Sequence, residues 1–190
     1  ERLPIDCNNN GAFDFLEVVH RPLGLAEPAY HHIGGSPSKI ALEDFNDDNR
    51  TDIAVANVAD GDLSILLNQG SGVFDPTEAV VLGDDEHDLT SLAVGDFNGD
   101  GLMDVVGARP DDTVMIYLND AAAAGSFGSP MAQSITAGAG SWTIDAIAAA
   151  DLEDDGHAEV VVATIHGSSN NLSIIWNHGG SFDSIEHHAL

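Results

Sequence analysis

Three acidic nine-residue loops recur along the chain, each set between two apolar stretches. The first segment reads SKIALEDFNDDNRTDIAVA from Ser38, the second TSLAVGDFNGDGLMDVVGA from Thr90, and the third DAIAAADLEDDGHAEVVVA from Asp145. A second block follows in each unit: LSILLNQGSGVF from Leu63, VMIYLNDAAAAGSF from Val114 and LSIIWNHGGSF from Leu172. Each of these is an apolar run, an asparagine (Asn68, Asn119, Asn177), a turn of small residues and a phenylalanine (Phe74, Phe127, Phe182). A last apolar segment closes each unit. Units of this kind bury their hydrophobic faces by stacking on one another, so the repeat decides the fold before any single element does.

The loops begin at Asp44, Asp96 and Asp151, 52 and 55 residues apart. Short β-branched and apolar runs bounded by Gly, Asn and Asp read as strands. Four such runs in a repeat of about 50 residues match the scale of a propeller blade. Strands are expected near 39–43, 53–57, 63–67 and 79–82, near 90–95, 105–108, 114–118 and 131–136, and near 143–149, 160–164, 172–176 and 184–189. The fold class is therefore all-β, built of β-propeller-type four-stranded blades, three full and one degenerate. The expected boundaries are a degenerate N-terminal repeat over 1–37, then blades over 38–83, 84–138 and 139–190, in one propeller-like domain. Small apolar inner strands, such as Ala146–Ala150, suit crowding around a central axis. Trp142, Trp176 and Tyr117 offer a sugar-stacking surface. Tyr117 and Trp176 are read in one register of the third strand, which favours core packing.

In the N-terminal repeat, Asp6, Asn8, Asn10, Gly11 and Asp14 repeat the loop spacing, and Cys7 takes the slot of Phe45, Phe97 and Leu152. Cys7 there reads as a small buried hydrophobe. Glu17 at position 12 also permits an EF-hand-like loop followed by a helix from Phe15. Three blades and a partial one make an awkward ring. The chain is then part of a longer propeller, a four-bladed ring with one poor blade, or an open array completed by a partner. It starts with neither an initiator Met nor a signal-peptide pattern, which reads as a mature chain or a piece of a longer one.

The second loop, Asp96-Phe-Asn98-Gly-Asp100-Gly101-Leu102-Met-Asp104, has the form D-x-N-x-D-G-x-x-D. A hard cation such as Ca²⁺ takes roughly 6–8 oxygens at about 2.3–2.6 Å. A tight loop turns the side chains at positions 1, 3, 5 and 9 inward, here Asp96, Asn98, Asp100 and Asp104. The carbonyl of position 7, Leu102, adds a backbone oxygen. Glycine at position 6 permits the positive φ of the sharp turn. The first loop offers Asp44, Asn46, Asp48, the Arg50 carbonyl and Asp52, with Asn49 standing in for glycine because Asn visits the left-handed region. The third offers Asp151, Glu153, Asp155, the His157 carbonyl and Glu159, whose longer side chains shift the oxygens outward. The N-terminal set is Asp6, Asn8, Asn10, the Ala12 carbonyl and Asp14. Gathering such oxygens without a cation is electrostatically costly. Three or four calcium ions are expected.

Asp and Glu number 32 against 5 Lys and Arg, a net charge of −27. Phosphate backbones and anionic membranes need clustered cations, so nucleic acid and membrane surfaces are poor partners. No apolar run is long enough to span a bilayer, so no membrane insertion is expected. Four Ca²⁺ ions would leave the charge near −19, so surface acids such as Asp84, Asp85, Asp88, Asp111 and Asp112 remain a solvated acidic surface. One cysteine excludes an internal disulfide and a thiolate zinc site. The nine His are scattered, and the adjacent pairs His31/His32 and His187/His188 point to opposite faces of a strand. No G-x-S-x-G, Walker or zincin motif occurs.

The loop, the LxxLN-turn-F block and the blade length together resemble the FG-GAP/VCBS repeat family, well over residues 38–190 and partially over 1–37. The resemblance implies a β-propeller with calcium in the loops joining the first two strands of blades, usually seven blades to a ring. It also implies an extracellular or cell-surface setting. The function expected from it is a non-catalytic, calcium-stabilised interaction module for adhesion or for a protein or carbohydrate ligand. Two alternatives stand beside it: a structural subunit that self-associates into an oligomer or filament, and an accessory propeller of a larger secreted enzyme.

Overall fold

Twelve strands form three separate four-stranded antiparallel sheets in the computed structural model, which describes residues 33–74, 80–83, 89–135, 143–166 and 169–189. Residues 1–32 of the N-terminal repeat, with its candidate ligands Asp6, Asn8, Asn10, Ala12 and Asp14 and with His31 and His32, lie outside the described residues, as do Asp84, Asp85, Asp88 and Trp142. The chain divides into two units, Glu1–Tyr30 and His31–Leu190, and the three sheets belong to the second.

Blade one is β1 (Pro37–Glu43), β2 (Asp52–Asn57), β3 (Asp62–Leu66) and β4 (Val80–Gly83). Blade two is β5 (Ser91–Gly95), β6 (Asp104–Ala108), β7 (Thr113–Tyr117) and β8 (Met131–Ser134). Blade three is β9 (Thr143–Ala150), β10 (Glu159–His166), β11 (Ser169–Asn177) and β12 (Phe182–Ala189). Each sheet is a simple meander in which neighbours in sequence are neighbours in space. No helix occurs among the described residues, and so none there is long and apolar enough to cross a membrane.

The strands fall where alternation and turn residues place them, with one difference of kind. Phe74 and Phe127 meet Asn68 and Asn119 through isolated bridges, whereas Phe182 opens β12 and pairs with Asn177 inside the ladder. The third blade has the longest strands among the described residues, and β10 and β11 pair from Val160↔Ile175 to His166↔Ser169. Alignment on the asparagines also corrects the register of the aromatics. Tyr117 is level with Ile175, and Trp176 is level with Leu118. Tyr117 is fully buried and pairs with Val105, while Trp176 lies one residue on, faces the other way and is partly exposed.

Two apolar clusters hold the blades together. One joins Phe45, Ala54, Leu63 and Ile65 of blade one to Leu92, Val105, Met115 and Tyr117 of blade two. The other joins Phe97, Val106, Val114 and Ile116 of blade two to Ile144, Val160, Val162 and Ile175 of blade three. The blades meet chiefly inner strand to inner strand, β1 on β5 and β5 on β9. Gly95 marks how close that approach is: a Cβ there would lie 2.8 Å from the Ala158 Cβ and 3.3 Å from that of Ala149. The crowding expected of inner strands holds only between blades. Ala146, Ala148 and Ala150 of β9 and Ile40 and Leu42 of β1 are exposed.

Candidate metal centre

Each acidic loop joins the first two strands of its blade and is folded by its own carboxylates. The position-1 aspartate accepts two amides from the far side of the turn. Asp44 takes those of Asp48 (3.1 Å) and Asn49 (2.6 Å). Asp96 takes those of Gly99 (2.7 Å) and Gly101 (2.8 Å). Asp151 takes those of Asp155 (3.1 Å) and Gly156 (2.9 Å), and these bonds hold its carboxyl below the usual carboxylate range. The position-5 aspartate closes a side-chain turn onto position 7, at 2.9 Å in all three loops: Asp48 to Arg50, Asp100 to Leu102, Asp155 to His157.

Positive φ occurs at position 6, as expected, in Asn49 (62°), Gly101 (88°) and Gly156 (87°). It occurs at position 4 as well, in Asp47 (56°), Gly99 (72°) and Asp154 (57°). The sequence reading missed this second left-handed residue. The recurrence of Asp or Gly there, both tolerant of that region, was the available signal.

Position 9 opens the second strand and is buried. Asp52 accepts the amides of Phe45 (2.9 Å) and Asn68 (2.7 Å), and Asp104 those of Phe97 (2.8 Å) and Asn119 (2.7 Å). Burial is the main force raising both carboxyls, with the position-1 and position-5 aspartates adding repulsion. Asp104 is pushed up to about 6. In the third loop Glu159 reaches only the Leu152 amide (2.6 Å) with one oxygen, and its Oε1 is buried without a partner. Asn46 Oδ1 is likewise buried and unpartnered. Arg50 does more than supply a carbonyl. Its guanidinium contacts the Asp48 carboxylate and donates from Nε to the Asn68 carbonyl at 2.6 Å. Glu153 lies 3.5 Å from His178, whose pKa is raised chiefly by its hydrogen bond to Asp183.

Among the described residues, no three His, Cys, Asp or Glu side chains gather tightly enough to hold a metal ion in this conformation. What the structure brings together is a carboxylate and its loop's amides. Yet the donor set fits a hard cation: all its atoms are oxygens, three carboxylates serve each of the first two loops and four the third, and two buried oxygens lack a partner. A carboxylate oxygen that accepts one N–H retains a second lone pair.

The asparagines of the second block are functional residues that sequence reasoning assigned only to a turn. Asn119 donates to the Phe45 carbonyl of blade one (2.7 Å) and to Met103 (3.1 Å), while its oxygen accepts the Gly125 amide (2.9 Å). Asn177 donates to the Phe97 carbonyl of blade two (2.8 Å) and to Ala158 (3.0 Å). Edge-on ring pairs repeat alongside, Phe45 with Phe127 and Phe97 with Phe182, at centroid distances of 6.0 and 5.9 Å. The first two loops are therefore pinned from within their blades by position 9 and from the next blade by an amide and a ring, and the third from within its blade by Glu159.

Stacked antiparallel blades, each carrying an acidic loop between its first two strands, define a propeller-type repeat protein. The profile of the FG-GAP-like repeat matches residues 44–107 and again 96–162, together more than half of the chain. The chain belongs to the FG-GAP repeat family, whose repeats occur in extracellular, adhesion-type proteins and often bind calcium in integrins. No curated protein matches it.

Proposed function

We propose that this chain is a non-catalytic extracellular interaction module, stabilised by calcium in its nine-residue loops, with a protein or carbohydrate ligand. The observation that carries the reading is one loop geometry built three times from the same positions. In each loop position 1 caps the turn, position 5 caps position 7, and position 9 ties the loop to its blade. Bound Ca²⁺ would supply positive charge to three or four neighbouring carboxylates and cross-link the turn.

In this reading Asp96, Asn98, Asp100, the Leu102 carbonyl and Asp104 hold the strongest ion. Asp44, Asn46, Asp48, the Arg50 carbonyl and Asp52 hold the next, weakened by the guanidinium already resting on Asp48. Asp151, Glu153, Asp155, the His157 carbonyl and Glu159 hold a weaker one because two of its side chains are longer, and Asp6, Asn8, Asn10, the Ala12 carbonyl and Asp14 would hold a fourth. An extracellular setting agrees with sites that fill only where Ca²⁺ is abundant. The non-catalytic part of the reading is supported by the use each loop makes of its acids, which hold that loop's own backbone.

The test is a calorimetric Ca²⁺ titration of the full chain and of Asp96→Ala. The wild type is expected to bind several ions and the variant to lose one tight site. A wild type that takes up no Ca²⁺, or a variant with unchanged stoichiometry and affinity, would overturn the assignment.

A further inference from the structure

Blades one and two each bury one sheet face under the following blade, and the same face of blade three is only partly buried. Ala54, Ala56, Leu63 and Ile65 form this face in blade one, and Val106, Ala108, Val114 and Ile116 form it in blade two; all are fully buried. Their counterparts in blade three, Val161, Ala163, Leu172 and Ile174, are only partly buried. Phe45 and Phe97 are 0% exposed, whereas Leu152, in the same loop position, is 48% exposed.

Blade one shows the complementary defect along its inner strand. Leu92 and Val94 of β5 pack on blade one, and Ile147 and Ala149 of β9 pack on blade two. The matching residues of β1, Ile40 and Leu42, are 68% and 56% exposed. Asn68 repeats half of the amide bridge. Its Nδ2 donates to Thr51 within its own blade at 3.0 Å, as Asn119 does to Met103 and Asn177 to Ala158. Among the described residues it has no counterpart of the carbonyl that Phe45 or Phe97 offers across the blade boundary. Leu152 carries that carbonyl, and no amide side chain among the described residues reaches it.

We infer that the partly exposed face of blade three docks the inner edge of blade one of a second copy of this chain, head to tail, with Leu152 and Ala148 against Ile40 and Leu42. In the two formed boundaries the equivalent surfaces of neighbouring blades fit one another. Both boundaries run chiefly along inner strands, the part of blade one that is open. Val55 and Leu66, further out on blade one, are already buried, so the contact is confined to the inner strand and the Asn68 turn. Such a contact uses two different patches, so it propagates from copy to copy until the rotation closes a ring. The net charge of −27 opposes it, so it strengthens as salt screens the copies. The inference rests on the interaction-module reading only for the kind of partner, and needs no calcium at the contact itself.

Light scattering on the full chain over a wide concentration range, in calcium and about 0.15 M salt where screening acts over roughly 8 Å, tests it with paired variants. The wild type is expected at multiples of 19.8 kDa. Ile40→Asp and Leu152→Asp each spoil one patch, so each alone is monomeric, and an equal mixture stops at dimers because one good patch of each kind remains. Ala148→Arg repeats the blade-three arm if Leu152→Asp fails to fold. A monomeric wild type, or association that survives either single substitution, overturns the inference. If that monomer still melts higher in calcium than in chelator, the module reading stands without self-association.

Discussion

Asp104 sits between two competing demands. It is fully buried at the mouth of β6 and takes two backbone amides, yet burial and the neighbouring Asp96 and Asp100 raise its pKa to about 6. Because the folded value lies above the ordinary 3.8, the protonated form is favoured by folding. That contribution, on the order of 3 kcal/mol, is fully present below about pH 4 and is lost as pH rises through about 6. A cation beside the carboxylate would reverse the preference. Carbon-detected NMR titration is therefore expected to place the Asp104 midpoint near 6 in chelator and well below 4 in excess Ca²⁺; the same midpoint in both would remove Asp104 from the ligand set. Asp104→Ala leaves the Phe97 and Asn119 amides buried and unpaired and should cost about 2–4 kcal/mol in chelator as well as in calcium, read from denaturant midpoints. Arg50 poses the opposite case. Arg50→Ala removes the cation resting on Asp48, an exposed ion pair of at most about 1 kcal/mol, so first-loop calcium affinity should rise up to about fivefold in a titration.

The elements were legible to the extent that their cause is local. The loops could be read from Asp at positions 1 and 5 and an acid at position 9, and the strands from period and turn residues, because the physics involved acts within a few residues. The left-handed residue at position 4 was missed because that position is Asp in two loops and Gly in one, so no glycine marks it throughout. Further from view was the amide bridge. The partners of Asn119 and Asn177 lie 74 and 80 residues away, and nothing near either asparagine names them. Asn119→Ala should destabilise by about 2–4 kcal/mol in a denaturant melt, since it strands two carbonyls and the Gly125 amide. Asn119→Asp should do no better, because it keeps the acceptor for Gly125 but turns a second oxygen toward those carbonyls. A leucine at that position that proved neutral would show the bridge to be incidental. Gly95→Val, at the close approach of β5 to Ala149 and Ala158, should cost about 1–3 kcal/mol by overpacking.

At the scale of the molecule, the three blades of the described residues give two complete boundaries, while the far face of blade three and the inner edge of blade one are less covered there. The sequence reading left three outcomes open: part of a longer propeller, a four-bladed ring with one poor blade, or an open array completed by a partner. It could not say which surfaces remain open, since the exposure of Leu152 against the burial of Phe97 depends on the neighbouring blade and not on either residue. Charge sets the conditions. At −27 the folded chain repels itself, so its stability should rise with ionic strength even in chelator. Calcium should do far more than monovalent salt at equal ionic strength, because it acts at particular oxygens. Thermal melting in excess Ca²⁺ against EGTA, at matched ionic strength, tests the central claim directly. One site at about a hundredfold over its Kd adds roughly 2.7 kcal/mol. At about 2–4 °C per kcal/mol for a chain of this size, a Tm higher by at least about 5–10 °C in calcium is predicted. Superimposable melts in calcium and in EGTA would contradict it.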